Sequence, residues 1–270
     1  MNTPLPSGPV SHRSRALADA PSSSRMAPAF AGAPVSDRDE LAALLSALLS
    51  LVQQRRDIWL PLSFGVLGFA PIASLALAIF GLAPLHITTV TVVIPSFITA
   101  VALGLWYPRY GRVAARGYLF AIAGVLMYDV TRAPFSLLGD WSDFVPNIGA
   151  LLLHREEPHT ALGYTWRWLG NGGGMGLAFV MVYPLVARRR DVVQSALVYG
   201  VAVWSCLVLT LLLAPRGEQI LFELTPKNLA STLIGHLVFG GVIGLLMRST
   251  GINVRPYAAD RPRIAPLSRR

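Results

Sequence analysis

Long apolar stretches alternate with short polar segments along most of the chain. Six such stretches, each about 20 residues long, lie between residues 60 and 248. A helix rises 1.5 Å per residue, so about 20 apolar residues cross the roughly 30 Å hydrocarbon layer of a membrane. The pattern predicts an all-α polytopic membrane helical bundle with about six transmembrane helices. We expect spans at 60–82, 87–107, 117–138, 161–186, 193–214 and 229–248.

A different pattern precedes the first span. Between Leu41 and Val52, leucines recur at helical spacing and leave the serines on another face. The segment Ser36-Asp37-Arg38-Asp39 has the spacing of a capping box, with Asp in place of the usual Glu or Gln. These features predict an amphipathic interfacial helix over residues 37–57, lying on the cytoplasmic membrane surface. A helix that binds a partner protein is the alternative interpretation.

The flanking segments complete the predicted organisation. Residues 1–36 are rich in Pro, Ser and Ala without apolar periodicity, which is typical of a disordered tail, and Met26 is an alternative start. We expect residues 58–249 to form the six-helix transmembrane domain and residues 250–270 a basic cytoplasmic tail. Charged residues make up only 14% of the chain, against about 25% in soluble domains, which agrees with one membrane domain.

The basic residues decide the predicted orientation. The formal net charge is +9, and 18 of the 23 basic residues flank the spans on one side, whereas only Arg155, Arg216 and Lys227 lie on the other. The positive-inside rule therefore predicts that both termini are cytoplasmic. Because the arginines cluster in short loops beside apolar spans, we expect the lipid bilayer and not nucleic acid as their partner. Richness in Arg and Ala suggests a bacterial source and hence the inner membrane.

Two ionisable residues lie inside the third predicted span. Asp129 and Arg132 share one helix face at i, i+3 spacing. A charge at this depth costs several kcal/mol unless it is paired or hydrated, about 3 kcal/mol on insertion scales. Two hypotheses stay open: an internal ion pair that fixes helix packing, or a site for a substrate or a proton.

The fourth predicted span is unusually polar and rich in glycine. Arg167 and Asn171 lie within it, and glycines occupy positions 172, 173, 174 and 176. Glycines four residues apart let helices approach closely. The alternative is a locally unwound helix whose free backbone groups face a ligand.

Histidines provide further candidates. His236 shares a face of the sixth span with Gly240 and Gly244, which predicts either a hydrogen bond across a helix interface or a ligand, proton-relay or metal site. Glu156 and His159 have a spacing used by some metal-binding helices, but Pro158 between them favours a solvated acidic loop. They are weak metal candidates, and the sequence identifies no cofactor. Cys206, the single cysteine, excludes an intrachain disulfide.

Under the predicted topology, these candidates fall in the outer half of the bundle. We therefore expect a polar pocket among the third, fourth and sixth helices that binds or transports a small or lipidic molecule. A structural or assembly subunit of a larger membrane complex is the alternative, with a membrane-protein partner or a second copy of the chain. An intramembrane enzyme is the third possibility and the least supported, because no nucleophile and base stand at a known spacing and no catalytic residue is identified.

Overall fold

The computed structural model describes residues 37–137, 143–186 and 190–252. The predicted tail at residues 1–36 and almost all of the predicted basic tail at 250–270 lie outside these ranges. Every helix or strand element in the described part of the chain is a helix. The helices are α1 (Asp37–Ile79), α2 (Leu85–Thr88), α3 (Ile94–Trp106), α4 (Pro108–Leu137), α5 (Val145–Leu153), α6 (Thr160–Thr165), α7 (Gly174–Val186), α8 (Val192–Leu213), α9 (Gly217–Ile220) and α10 (Pro226–Ser249).

Two π-helical segments join helices without a break. Thr89–Val93 connects α2 to α3, and Trp166–Gly173 connects α6 to α7. Each of these combinations is therefore one long helix, and the six-span prediction is confirmed. The structure has six helices long and apolar enough to cross a membrane, and the chain is a multi-pass membrane protein. They are Leu41–Ile79, Leu85–Trp106, Pro108–Phe135, Thr160–Val186, Val192–Leu213 and Pro226–Ser249.

The first span begins differently from the prediction. The chain divides into two compact units, residues 1–48 and 49–270, and of the first unit only residues 37–48 are described. Those residues are helical, as predicted, and the leucines among them are exposed. However, α1 is continuous to Ile79, so the expected break near residue 57 is absent from the described helix. The segment from Arg55 to Leu60 contains neither Gly nor Pro, and nothing in it interrupts the hydrogen-bonded helix.

Glycines bring α8 and α10 into close antiparallel contact. Gly200 lies against the backbone of His236, and Gly240 lies against the backbone of Ala196. A Cβ atom on Gly244 would lie 2.7 Å from the Cα atom of Val193, closer than side chains normally approach. The predicted close-packing role of Gly240 and Gly244 is confirmed.

A second close interface joins α4 to the helix that runs from α6 through the π segment into α7. Three levels of contact recur at four-residue intervals, and glycine or alanine occupies at least one side of each. The pairs are Gly117 with Val180, Ala121 with Gly176, and Val125 with Gly172. The residue numbers rise along one helix as they fall along the other, so the two helices are antiparallel.

Two of the six spans contribute little to the protein interior. Only 6% of the Leu85–Trp106 span and 17% of the Val192–Leu213 span are buried within the chain, against 61% of the Thr160–Val186 span. Most of their apolar side chains therefore face the surroundings of the bundle.

Candidate functional site

The interface between α4 and the Thr160–Val186 helix changes character toward the end of the bundle that carries α5. Beyond the glycine levels, the next levels hold charged and aromatic side chains. We call this group the polar cluster, and it comprises Asp129, Arg132, Asp143, Tyr164, Arg167 and Trp168.

Asp129 is hydrogen-bonded on both carboxylate oxygens. Its Oδ1 atom accepts a hydrogen bond from Nε of Arg167 at 2.7 Å, and Nη2 of Arg167 lies 2.6 Å from the same oxygen. Its Oδ2 atom accepts a hydrogen bond from Nε1 of Trp168 at 2.9 Å. Hydrogen bonds between ionised groups are roughly twice as strong as those between neutral groups, so the pair of Asp129 and Arg167 strongly stabilises the contact between α4 and the π segment.

Arg132 forms the second ion pair of the polar cluster. Its Nη2 atom donates to Oδ1 of Asp143 at 2.6 Å and to the hydroxyl oxygen of Tyr164 at 3.2 Å. The Tyr164 hydroxyl in turn donates to Oδ2 of Asp143 at 2.9 Å. The guanidinium also lies over the ring of Phe144, 5.4 Å from its centroid. Asp143 precedes α5, so this pair connects α4 to the α5 end of the bundle.

The predicted i, i+3 ion pair between Asp129 and Arg132 is not the pairing in the structure. Each residue forms its ion pair with another element, Asp129 with Arg167 and Arg132 with Asp143. The antiparallel register explains the difference, because it places Asp129 level with Arg167 and Trp168. There, donors from the neighbouring helix reach both carboxylate oxygens.

His236 joins the polar cluster through an aromatic ring. The guanidinium of Arg167 lies over the ring of Tyr128 at 4.7 Å, and that ring meets His236 edge-on at 5.1 Å between centroids. Nδ1 of His236 is 2.7 Å from the carbonyl oxygen of Thr232. A carbonyl oxygen only accepts, so Nδ1 carries the proton. The structure thus brings His236 to the predicted neighbours on the third and fourth spans, with Tyr128 between them.

The π segment carries Arg167, Trp168 and Asn171 together. A π-helix has wider turns than an α-helix and occurs often at functional sites. The fourth span is not unwound, because Trp166–Gly173 is a π-helix with its own backbone hydrogen bonds, so the interpretation with free backbone groups is wrong. Gly172 and Gly176 provide the predicted close packing.

Apart from Nη2 of Arg167, which belongs to the ion pair with Asp129, two buried polar atoms on this π segment are unsatisfied. Nε1 of Trp166 and Oδ1 of Asn171 have no hydrogen-bond partner among the described residues. One is a donor and the other an acceptor, and each buried group without a partner carries a desolvation cost of about 1–3 kcal/mol. Asn171 was a predicted candidate, and it belongs to the same helical segment as Arg167.

The weak metal candidates have a different setting. Nδ1 of His159 accepts the backbone N–H of Leu162 at 3.3 Å and so caps the start of α6. Glu156 is exposed in the turn before it. Within the described ranges, no group of three or more His, Cys, Asp or Glu side chains is arranged to hold a metal ion.

The sequence patterns do not single out four residues of this site, namely Asp143, Tyr164, Trp168 and Tyr128. Together with the predicted residues they make a charge-balanced network of two arginines and two aspartates. Such a network can bind an anionic group if that group replaces one of the carboxylates on an arginine.

The chain was compared with protein-family models, with curated proteins and with solved structures, and none of the three comparisons finds a match.

Proposed function

We propose that this multi-pass membrane protein binds or transports a small or lipidic molecule through the polar cluster, and that the molecule carries a negatively charged group. Arg132 and Arg167 are the residues to which this group binds. Their own carboxylate partners hold these positions when the molecule is absent.

One observation carries the proposal, namely that the arginines are more deeply buried than their partners. The side chain of Arg132 is 5% exposed and that of Asp143 is 34% exposed, while Arg167 is 13% and Asp129 is 18% exposed. Asp143 can return to water at little cost because it is already partly hydrated. Arg132 cannot, because it would lose its carboxylate partner in a low-dielectric environment.

Exchange of one carboxylate for another preserves the chemistry that Arg132 requires. A carboxylate or phosphate group accepts two parallel hydrogen bonds from the guanidinium fork, whereas Asp143 and the Tyr164 hydroxyl both accept from the Nη2 atom of Arg132. Asp143 is the most exposed residue of the two ion pairs, so the incoming group would displace Asp143 from Arg132. Arg167 and the unsatisfied atoms of the π segment lie on the adjoining helix, where they can contact the rest of the bound molecule.

The direction of entry follows from the arginine distribution along the sequence. If both termini are cytoplasmic, as the positive-inside rule indicates, the α5 end faces away from the cytoplasm. The molecule would then enter from that side, or from the leaflet next to it.

Binding of decanoate to the purified full-length protein in detergent tests this proposal. Decanoate carries a carboxylate on an apolar chain, and decanol has the same chain without the charge. We expect decanoate to bind and to raise the unfolding temperature, and decanol to bind at least tenfold more weakly. Arg132→Gln should remove that preference, since it leaves a neutral amide in place of the guanidinium fork.

A second variant serves as a control for misfolding of the protein. Arg132→Lys keeps the charge but has no fork, so it should retain folding and show intermediate affinity for decanoate. Equal binding of decanoate and decanol by the unsubstituted protein would contradict the proposal. So would equal decanoate affinity for the unsubstituted protein, Arg132→Lys and Arg132→Gln.

A second candidate function is an assembly subunit of a membrane complex, with another membrane protein or a second copy of this chain as partner. The observation that favours it is the small buried share of the Leu85–Trp106 and Val192–Leu213 spans, which leaves two apolar helix faces for a partner. Native mass spectrometry of gently solubilised protein separates the two functions. A stable hetero-complex would favour assembly, and a single chain with a bound small anion would favour binding or transport.

A further inference from the structure

A pair of arginines stands on an exposed face of α4, at the end of this helix nearest to α3. Arg112 and Arg116 are one turn apart and exposed, and Leu119 follows on the same face with 61% of its surface exposed. Residues at i, i+4 and i+7 lie on one side of a helix, so the cations and the leucine form one continuous stripe.

Neither guanidinium is engaged by the part of the chain that the structure describes. No described residue forms a hydrogen bond, an ion pair or a ring contact with Arg112 or Arg116. Arg248 offers a contrast, because it binds Asp191 at 2.5 Å. That hydrogen bond, with those from the backbone N–H groups of Gln194 and Val193, lowers the pKa of the Asp191 carboxyl. Arg112 and Arg116 therefore keep their full capacity to bind an anion from outside the protein.

An aromatic side chain lies at the same end of the helix pair. Tyr107 alone separates α3 from α4, and the two helices approach closely at Gly104 and Gly111. Trp106, the last residue of α3, is 81% exposed. Tryptophan with an apolar ring and a polar N–H is favoured at the boundary between lipid and water. In the register set by Gly104 and Gly111, Arg112 lies about one turn and Arg116 about two turns from the level of Trp106, and their long side chains extend toward the lipid headgroups.

The apolar part of the stripe has the length of one leaflet. Leu126 and Val130 continue the exposed surface of α4 beyond Leu119. Ten residues separate Arg116 from Leu126, which corresponds to about 15 Å of helix. That distance is about half of the roughly 30 Å hydrocarbon layer.

We propose that Arg112 and Arg116 bind the headgroup phosphate of an anionic phospholipid, whose acyl chain lies along Leu119 and Leu126. Two guanidinium groups one turn apart provide a doubly charged site with fork geometry for phosphate oxygens. Each basic residue at an anionic membrane surface strengthens binding about fivefold, so the pair contributes about thirtyfold.

Lipid titration of the delipidated full-length protein, followed by native mass spectrometry, tests this site. The probes are dioleoyl phosphatidylglycerol, dioleoyl phosphatidylcholine and inorganic phosphate. We expect the unsubstituted protein to bind phosphatidylglycerol more tightly than phosphatidylcholine. The double variant Arg112→Gln/Arg116→Gln should bind phosphatidylglycerol about thirtyfold more weakly, with phosphatidylcholine binding unchanged.

The matched control is Arg155→Gln/Arg216→Gln, which removes the same net charge from two exposed arginines elsewhere in the chain. This control should bind phosphatidylglycerol like the unsubstituted protein, and Arg112→Lys/Arg116→Lys should largely restore binding. Equal weakening in both glutamine variants would overturn the proposal, because net charge alone would explain it. Full displacement of the lipid by equimolar inorganic phosphate would also overturn the proposal, because it would show that the site binds free phosphate and not a phospholipid.

Discussion

The interface between α4 and the Thr160–Val186 helix has two halves that share one register and use different chemistry. In one half, Gly172 packs against Val125 and Gly176 packs against Ala121, so the two helix backbones approach closely. In the other half, the same four-residue steps carry Asp129 against Arg167, with Trp168 on the second carboxylate oxygen.

The comparison shows two ways in which helices are joined in a membrane, one by close packing of small residues and one by pairs of charged groups. Lipid tails are as apolar as the helices, so neither half gains from the hydrophobic effect between them. The glycine half holds the helices together through close contact, and the pairs described there have no charged side chain that could exchange partners. The charged half holds them through partners that can be exchanged, which is why we assign binding to it.

The largest expected effect distinguishes the ion pairs in the structure from the pair that the sequence suggests. Asp129→Leu/Arg167→Leu removes both members of one pair, whereas Asp129→Leu/Arg132→Leu leaves Arg167 and Asp143 without their partners. Removing one partner of a buried pair costs about 3–5 kcal/mol, and replacing both by apolar residues is often close to neutral. We expect the second double variant to be less stable than the first by several kcal/mol, at least about 3.

The free energy of unfolding of both variants, measured by SDS titration of the detergent-solubilised protein, checks this difference. Asp129→Leu/Asp143→Leu provides a control in which both arginines lose their carboxylate partners, and it should be at least as unstable as the Asp129/Arg132 variant. Equal stability of the Asp129/Arg167 and Asp129/Arg132 variants would contradict the pairing described here.

A smaller effect is expected in the glycine half of the interface. A methyl group on Gly176 would overlap with the side chain of Ala121 and the backbone of Gly117. Gly176→Ala should therefore destabilise the protein by about 1–3 kcal/mol, the usual cost of overpacking. The same SDS titration measures it.

Gly241→Ala is the matched control in α10. The nearest atom to its new methyl group would be Cδ2 of Leu197 at 3.7 Å, an ordinary contact. Helix propensity favours alanine over glycine by about 1 kcal/mol at both positions, so the difference between the two variants isolates the steric cost. Equal stability of Gly176→Ala and Gly241→Ala would contradict the close approach of α4 and the Thr160–Val186 helix.

The fold could be predicted from the sequence because its signals are local. The length of an apolar run decides whether a helix crosses the membrane, and the glycines that are four residues apart, such as Gly240 and Gly244, indicate a close-packed face without knowledge of the partner helix. The continuity of α1 was missed because an arginine-rich boundary was interpreted as the end of a helix. Charge alone does not interrupt helical hydrogen bonds.

The ion-pair partners could not be predicted from one helix at a time. Asp129 and Arg132 satisfy the i, i+3 rule, but only the register of two antiparallel helices shows that Arg167 and Trp168 reach Asp129 first. Asp143 lies outside every predicted span, and the fold alone brings it to Arg132. The sequence nevertheless contains a signal, because Tyr164 and Arg167 are three residues apart, as are Asp129 and Arg132. In an antiparallel pair of helices, Arg167 and Trp168 then lie level with Asp129 while Tyr164 lies level with Arg132.

The decanoate affinity of Asp143→Asn tests the central claim most directly. This substitution removes the carboxylate that competes for Arg132 and leaves the arginine in place. If the polar cluster binds anions by exchange, Asp143→Asn binds decanoate about tenfold more tightly than the unsubstituted protein, because a charged hydrogen bond worth about 1.5 kcal/mol no longer has to be broken. An affinity that is unchanged or lower would show that Asp143 and Arg132 serve only to join helices.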